Sequence, residues 1–493
     1  MNSMIPLFTA VPLAVAFVIP MVSRKTRWAP DVLGNLTMLV LCVMSFRTIG
    51  HEALYSMGKW PTPLGIDLRL DGLSSLMLIA VNLIGLTATI FSVQYMERYT
   101  SKLRYYSLFL FMVAGMNGVV LTGDMFNLYV FMEIAAIASY SLVAFGCEHD
   151  ELEASFKYAV LGSVASAFIL VGIGILYGLT GTLNMAHVAT RLAEGEFGKP
   201  LSLAVGLFVC GFGLKAALVP FHAWLPDAHP SAPAPVSAML SGVVIKALGI
   251  YVIARLVFNV FGADEALTAR LLYLIRLLGA TSMVIGVFLA IGQWDMKRLF
   301  AYHSISQIGY VAIGIGLGTP LGIVGGLFHM VNHSVFKSLL FLNAGAVEYA
   351  TETRDLKRLG GLAGKMPVTA NTSLVASLSI AGIPPFNGFW SKLIIVLACV
   401  ASGHYLLALA AVFVSLMTLA SFLKVQKYAF FESIKAGLAH TVEVPFLMRT
   451  AMLILAVLCA VMSLLVLGGL ATPYLIDSAA RVLCDGPFRL VQG

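Results

Sequence analysis

Five ionisable residues stand almost alone inside long apolar runs: Glu133, Lys215, Lys246, Lys337 and Lys392. Each is the sole Asp, Glu, Lys or Arg of its stretch: 125–146, 202–222, 233–254, 299–347 and 366–423 in turn. A charge at the centre of a membrane helix costs about 2.5–3.5 kcal/mol on insertion scales. Five unpaired ones would cost roughly 12–18 kcal/mol, as much as the whole net stability of an ordinary domain. Such groups must be paired, hydrated or partly neutral. Desolvation disfavours the charged form of an amine, so a buried lysine beside a withdrawable glutamate can take up and release a proton. The bland readings are snorkelling for Lys246 and Lys392 near span ends, and a purely structural partner role for Glu133.

Histidines add a second line. His329, His333 and Lys337 fall at i, i+4 and i+8, on one helix face. Imidazoles titrate near neutral pH and relay protons in pumps. Zinc binding is the rival for a His pair at this spacing, but no carboxylate or thiolate nearby completes a site. His303, with Ser304, Ser306 and Gln307, opens a helix in AYHSISQIGY, either as a link to the cytoplasm or as an interfacial group. His222, Asp227 and His229 occupy the proline-rich turn PFHAWLPDAHPSAPAPVSAM. They form either an entry vestibule or a set that only satisfies the exposed backbone of the break, and His229 reads as structural. A sodium site would need more carboxylates than one buried glutamate. No metal or cofactor is expected in this chain. The cysteines (42, 147, 210, 399, 459 and 484) form no C-x-x-C, which argues against an iron–sulfur cluster or a disulfide framework.

The elements that carry these residues are membrane helices. Of 493 residues, 59% are hydrophobic and 11% charged, against about a quarter charged in soluble domains; mean hydropathy is +0.91. A span needs about 20 mostly apolar residues. Such runs lie near 4–22, 31–49, 71–96, 105–122, 125–146, 156–180, 202–222, 233–258, 270–292, 300–318, 320–348, 367–400, 404–430 and 447–471. They predict an all-α polytopic protein of about 14 transmembrane helices, the first a retained span rather than a cleaved signal. The net charge of +7 reflects basic loops, not nucleic-acid binding. One alternate set of loops holds Arg24, Lys25, Arg27, Arg98, Lys102, Arg104, Lys297, Arg298, Arg354, Lys357, Arg358, Lys365, Lys424, Lys427 and Lys435. The positive-inside rule puts that set in the cytoplasm and both termini outside.

Two runs are interrupted: GLKAALVPFHAWLPD at Pro220, and SIAGIPPFNGFWSKLIIV at Pro384 and Pro385. Both read Pro-Phe and then Trp, and the pairs lie 165 residues apart. Two groups of five spans, with broken helices 7 and 12 at matching places, predict an inverted repeat, the usual pointer to a transport site. The expected divisions are 1–104 (helices 1–3), 105–260 (first repeat), 261–430 (second repeat) and 431–493 (helix 14 and a short tail).

At TGDMFNLYVFMEI, KAALVPFHAWLPDAHPSAPAPVSAML, KRLFAYHSISQIGY, FHMVNHSVFKSLLFLNAGAV and GIPPFNGFWSK the chain resembles a known family. This is the antiporter-like subunits shared by respiratory complex I, Mrp-type Na+/H+ antiporters and group 4 membrane-bound hydrogenases. TGDMFNLYVF and LYGLTGTLNMA look most like the MrpD-type member of the antiporters, and WLPDAHPSAPAPVSA more like complex I and hydrogenase members. A member without the long lateral helix of the largest ones is expected, and Lys392 differs from the glutamate of some complex I members. The resemblance implies an integral protein of a bacterial or archaeal inner membrane, working beside other membrane subunits, including further antiporter-like ones. It implies Glu133 paired with Lys215 on broken helix 7, Lys246 as a bridge, His329–His333–Lys337 as a central stripe and Lys392 as the terminal lysine. Protons are the expected cargo, with Na+ a second candidate. A stand-alone carrier for an organic solute and a structural scaffold are the competing readings.

Overall fold

The computed structural model describes residues 2–23, 26–99, 101–195, 197–467 and 475–488. Arg24 and Lys25 of the first basic loop, and the end of the run at 447–471, lie outside them. The chain is mostly helical. Its helices are α1 (Leu7–Val22), α2 (Ala29–Phe46), α3 (Gly72–Tyr95), α4 (Lys102–Leu121), α5 (Met125–Val143), α6 (His149–Thr180), α7 (Met185–Glu194), α8 (Gly198–Lys215) and α9 (Leu225–Ser231). There follow α10 (Ala234–Val260), α11 (Glu265–Ile291), α12 (Met296–Gly316), α13 (Pro320–Thr351), α14 (Pro367–Ala381) and α15 (Asn387–Ala401). The last are α16 (Tyr405–Phe431), α17 (Phe446–Leu467) and α18 (Asp477–Cys484). A small hairpin, β1 (Ala53–Ser56) and β2 (Asp67–Leu70), pairs Ala53 with Leu70 between α2 and α3. Apolar periodicity has no power to find so short a pair.

Among the described residues, eleven helices are long and apolar enough to cross a membrane. The helices α12 and α13 fall outside that set because they carry His303, Gln307, His329, His333 and Lys337 in their interiors, all fully buried. Side-chain caps, rather than the apolar runs, set several helix starts. Asp264 accepts from Leu267 N and Asp295 from Arg298 N, so α11 and α12 begin about four residues before the runs predicted at 270 and 300. Asp71 and Ser74 form a capping box at α3.

The two interruptions are true breaks. The first half of the broken pair ends at Lys215, and the chain turns through Ala217 (φ +54°) before α9. The second turns at Gly382 (φ +79°), between α14 and α15, where a Cβ would meet the Lys392 stem at 3.0 Å. A glycine there allows both the left-handed turn and the close approach of the lysine.

The start of α14 is held from far along the chain. Glu443 accepts from Val368 N (2.7 Å), Thr369 N (3.2 Å) and the Thr369 hydroxyl (2.6 Å). The two amides are orphan donors of a helix N-terminus. Glu443→Ala is expected to destabilise the fold by about 1–2 kcal/mol. A lowered midpoint of thermal unfolding in detergent checks this, with Glu443→Gln retaining part of the stability.

Candidate functional site

The site follows from the way the breaks and wide helical turns free backbone groups. At the first break, Lys215 is the last residue of α8 and is buried. Its Nζ lies 3.7 Å from Glu133 Oε1 of α5 and 3.4 Å from the Tyr140 hydroxyl. Ser166 of α6 donates to the same glutamate oxygen. Glu133 remains partly open at the side of the protein, 24% exposed at its side chain.

Lys246 is fully buried on α10. Residues Leu240–Val244, Lys246–Ile250 and Arg255–Val260 form π-helical turns. Such turns are frequent at functional sites because they loosen the i→i−4 ladder. The Lys246 ammonium donates to Ser241 O at 2.5 Å. On the same segment, Ser241 shares a 2.7 Å hydrogen bond with Ser304 of α12. Ser338 of α13 donates to Ala238 O at 3.0 Å. These bonds stitch α10 to the helices of the second half.

The stripe on α13 lies at the centre. Lys337 is fully buried, its Nζ 5.7 Å from the Phe300 ring centroid and 5.6 Å from that of Phe341. Among the described residues it has no hydrogen-bond partner, and neither has either ring nitrogen of His333. Buried polar groups are normally satisfied, by protein or by water. A polar interior of this kind favours hydration. The rings of His329 and His333 are nearly parallel, with centroids 6.3 Å apart. His329 Nδ1 pairs with the Ser391 hydroxyl at 2.9 Å and Nε2 with Gln307 Oε1 at 3.2 Å. Ser391 is the chain neighbour of Lys392, so the stripe reaches the second break directly. There Lys392 donates to Ile380 O (2.7 Å), in the last turn of α14, and to the Ser415 hydroxyl (3.3 Å).

The remaining candidates separate. His303 is fully buried rather than interfacial, with Nε2 2.8 Å from the Ser421 hydroxyl of α16. Asp227 lines a charged cavity of about 520 Å³ on the side of the basic loops. It binds Lys157 at 3.1 Å and also pairs with Arg298. The same cavity is walled by Lys297, paired with Glu348 at 2.9 Å, and by Arg354, paired with Asp295 at 3.1 Å. His222 is half-buried and stands apart from that wall. His229, read from the sequence as structural, is fully buried against Phe341 (4.5 Å between centroids). Neither of its ring nitrogens has a partner among the described residues.

Sequence reasoning missed Ser166, Tyr140 and Ser391, because hydroxyls are common in membrane helices and carry no single-residue signal. It also missed the buried pair Arg255–Asp71, 2.5 Å apart. Both residues sit at predicted span ends, where a charge usually reaches water. Beside them Asp67 accepts from Asn184 Nδ2 at 2.8 Å. Burial raises its carboxyl above the ordinary range, against the pull of Arg69.

Two broken helices with a buried line of lysines and histidines between them are the architecture on which ion-translocating membrane proteins are built. Residues 122–418 match the family described as NADH:quinone oxidoreductase/Mrp antiporter, TM, and residues 60–106 match the N-terminus of complex I chain 5. The chain belongs to this NADH:quinone oxidoreductase/Mrp antiporter family. It is 37% identical over 412 residues to the D-type component of the Na(+)/H(+) antiporter of Alkalihalophilus pseudofirmus, covering 84% of this chain and 82% of that protein. It is 34% identical over 438 residues to the N-type component of the NADH-quinone oxidoreductase of Desulforudis audaxviator, covering 87% and 86%. A chain in the structure of the Mrp complex from Dietzia sp. superposes with a TM-score of 0.90 at 30% identity, over 98% of both chains.

Proposed function

We propose that this chain is a proton-translocating, antiporter-like subunit of a multisubunit membrane complex. The observation that carries the reading is the buried axis from the Glu133–Lys215 pair through Lys246 and the Lys337–His333–His329 stripe to Lys392. Protons move along it as ion pairs rearrange and water enters between them, and partner subunits supply the driving force. Asp227 and the charged cavity around it form the entrance on the cytoplasmic side, and both termini lie outside.

In this reading the chain has 14 spans, with α8–α9 and α14–α15 as broken helices 7 and 12. Residues 105–260 and 261–430 are inverted five-helix repeats. Hydrogen bonds in both halves support it. Met125 N donates to Leu183 O and Met185 N to Gly123 O, while Met296 N donates to Arg354 O and Leu356 N to Trp294 O. The caps Asp124 and Asp295 are 171 residues apart, as are the loop pairs Thr180 and Thr351, and Asn184 and Asp355. Thr180 and Thr351 each donate back to the carbonyl four residues earlier.

An Mrp-type Na+/H+ antiporter is the first choice of host, supported by the Alkalihalophilus antiporter relative and the Mrp complex. The Desulforudis oxidoreductase relative keeps a redox-driven complex as the second. The test uses the assembled complex in sealed vesicles with an internal pH dye. A proton gradient collapsed by added Na+ assigns the antiporter. Acidification driven by an electron donor without Na+ assigns the redox host. No proton movement under either condition overturns the reading. A stand-alone carrier would instead transport a solute without partner subunits.

A further inference from the structure

The Glu133–Lys215 pair is looser than a hydrogen-bonded ion pair, since 3.7 Å exceeds the normal N–H···O range. Each member is held by a third group. Ser166 donates to Glu133, and Lys215 Nζ has the Tyr140 hydroxyl at 3.4 Å. Tyr140 follows Glu133 by seven residues on α5, so both face the lysine from one side of the helix. The groups that confront Lys215 from the packed elements are therefore Glu133 and Tyr140 of α5, with Tyr158 of α6 behind them.

Tyr140 is fixed in place by its surroundings. Its ring packs edge-on against Tyr158, with centroids 4.5 Å apart at 82°. Tyr158 stacks flat on Trp224, 4.1 Å away at 4°. The Trp224 indole N–H donates to Leu214 O at 2.9 Å, next to Lys215 itself. The hydroxyl end of Tyr140 rests on Gly162 of α6, where an added Cβ would stand only 1.9 Å from the oxygen. Gly162 O also accepts from Ser166 at 2.9 Å. One face of α6 thus seats both the group that holds the glutamate and the group that holds the lysine.

We infer that the Tyr140 hydroxyl, seated in the Gly162 socket, is a positioning group that holds Lys215 whenever Glu133 does not. This rests on the proton-path reading and deepens it. A carboxylate holds the ammonium strongly but the neutral amine only weakly. A phenol serves it in both states, accepting from the ammonium and donating to the neutral amine. It is also a weaker partner for the ammonium than a carboxylate. The lysine is kept in register at the break without being locked in its charged form.

The experiment compares Tyr140→Phe, Gly162→Ala, the double variant and Lys215→Ala in vesicles holding the assembled complex. Proton flux is recorded across the range from acid to alkaline pH. Tyr140→Phe keeps the ring packing and removes only the hydroxyl. Its flux is expected to fall severalfold at most, and the alkaline limb of the profile to move down by about 0.5–1 pH unit, because the bond the hydroxyl accepts from the ammonium is charge-assisted and stronger than the one it gives the neutral amine. Gly162→Ala pushes the same hydroxyl aside and is expected to give the same displacement. The double variant should move no further than either single one. If Lys215→Ala abolishes flux while the profile stays put in Tyr140→Phe and Gly162→Ala, the positioning role is overturned and the path stands. A uniform loss of flux with an unmoved profile also overturns it. If Lys215→Ala itself leaves flux intact, the path reading falls.

Discussion

Lys215→Ala is expected to reduce proton flux through the assembled complex by about a hundredfold or more, the scale on which positioned proton-transfer groups act. The lysine sits buried where α8 ends, and without it Glu133 loses its cationic partner and keeps only the Ser166 hydroxyl. Lys215→Arg should fail almost as badly. Arginine keeps the charge but does not give up its proton in proteins, so this variant separates a relay from a counter-ion. Glu133→Ala is expected to cost less, about tenfold, because Tyr140 still holds the amine. Vesicle flux per assembled complex, with assembly read on a native gel, checks all three. Wild-type flux in Lys215→Ala would refute the path outright.

The second large effect is on stability. Asp71→Ala is expected to destabilise the protein by about 3–5 kcal/mol, the usual result of stranding one member of a buried pair. Arg255 and Asp71 are 7% and 10% exposed at their side chains. The arginine also binds Tyr251 (3.0 Å) and Asn259 (3.2 Å), and Asn259 holds Val482 O and Gly486 O of the C-terminal segment. Removing the carboxylate leaves a charge that cannot be neutralised. Asp71→Leu with Arg255→Met should regain most of the loss except about 1 kcal/mol for the α3 cap that Asp71 also supplies, because the attraction within the pair does little more than offset its own desolvation. Thermal unfolding in detergent measures both. Flux per folded complex should be unchanged in the double variant, which marks this pair as structural and Glu133–Lys215 as working.

These two pairs differ in how legible they are in the sequence. Solitary charges in long apolar runs stand out because the cost of burying them makes them rare, and Glu133, Lys215, Lys246, Lys337 and Lys392 are all visible that way. Asp71 and Arg255 have the same chemistry but sit at span ends, where the ordinary reading is contact with water. Only packing by the C-terminal segment seals them. His229 reads as a turn residue, and no local pattern shows that its turn folds inward onto Phe341.

By itself the sequence determined the class of protein, the places where two helices must break, and which side chains are too costly to bury without purpose. Proline, apolar length and isolated charge are local properties, and they act wherever the chain goes. The tertiary structure decided which of these groups meet. That His329 reaches the neighbour of Lys392, that Lys246 is served by a carbonyl of the wide turn before its own, and that Tyr140 stands beside Lys215 all depend on how the helices pack and where their turns widen. Those distances are set by close packing of glycines and rings, as at Gly162 and Gly249, and no spacing within a single helix encodes them.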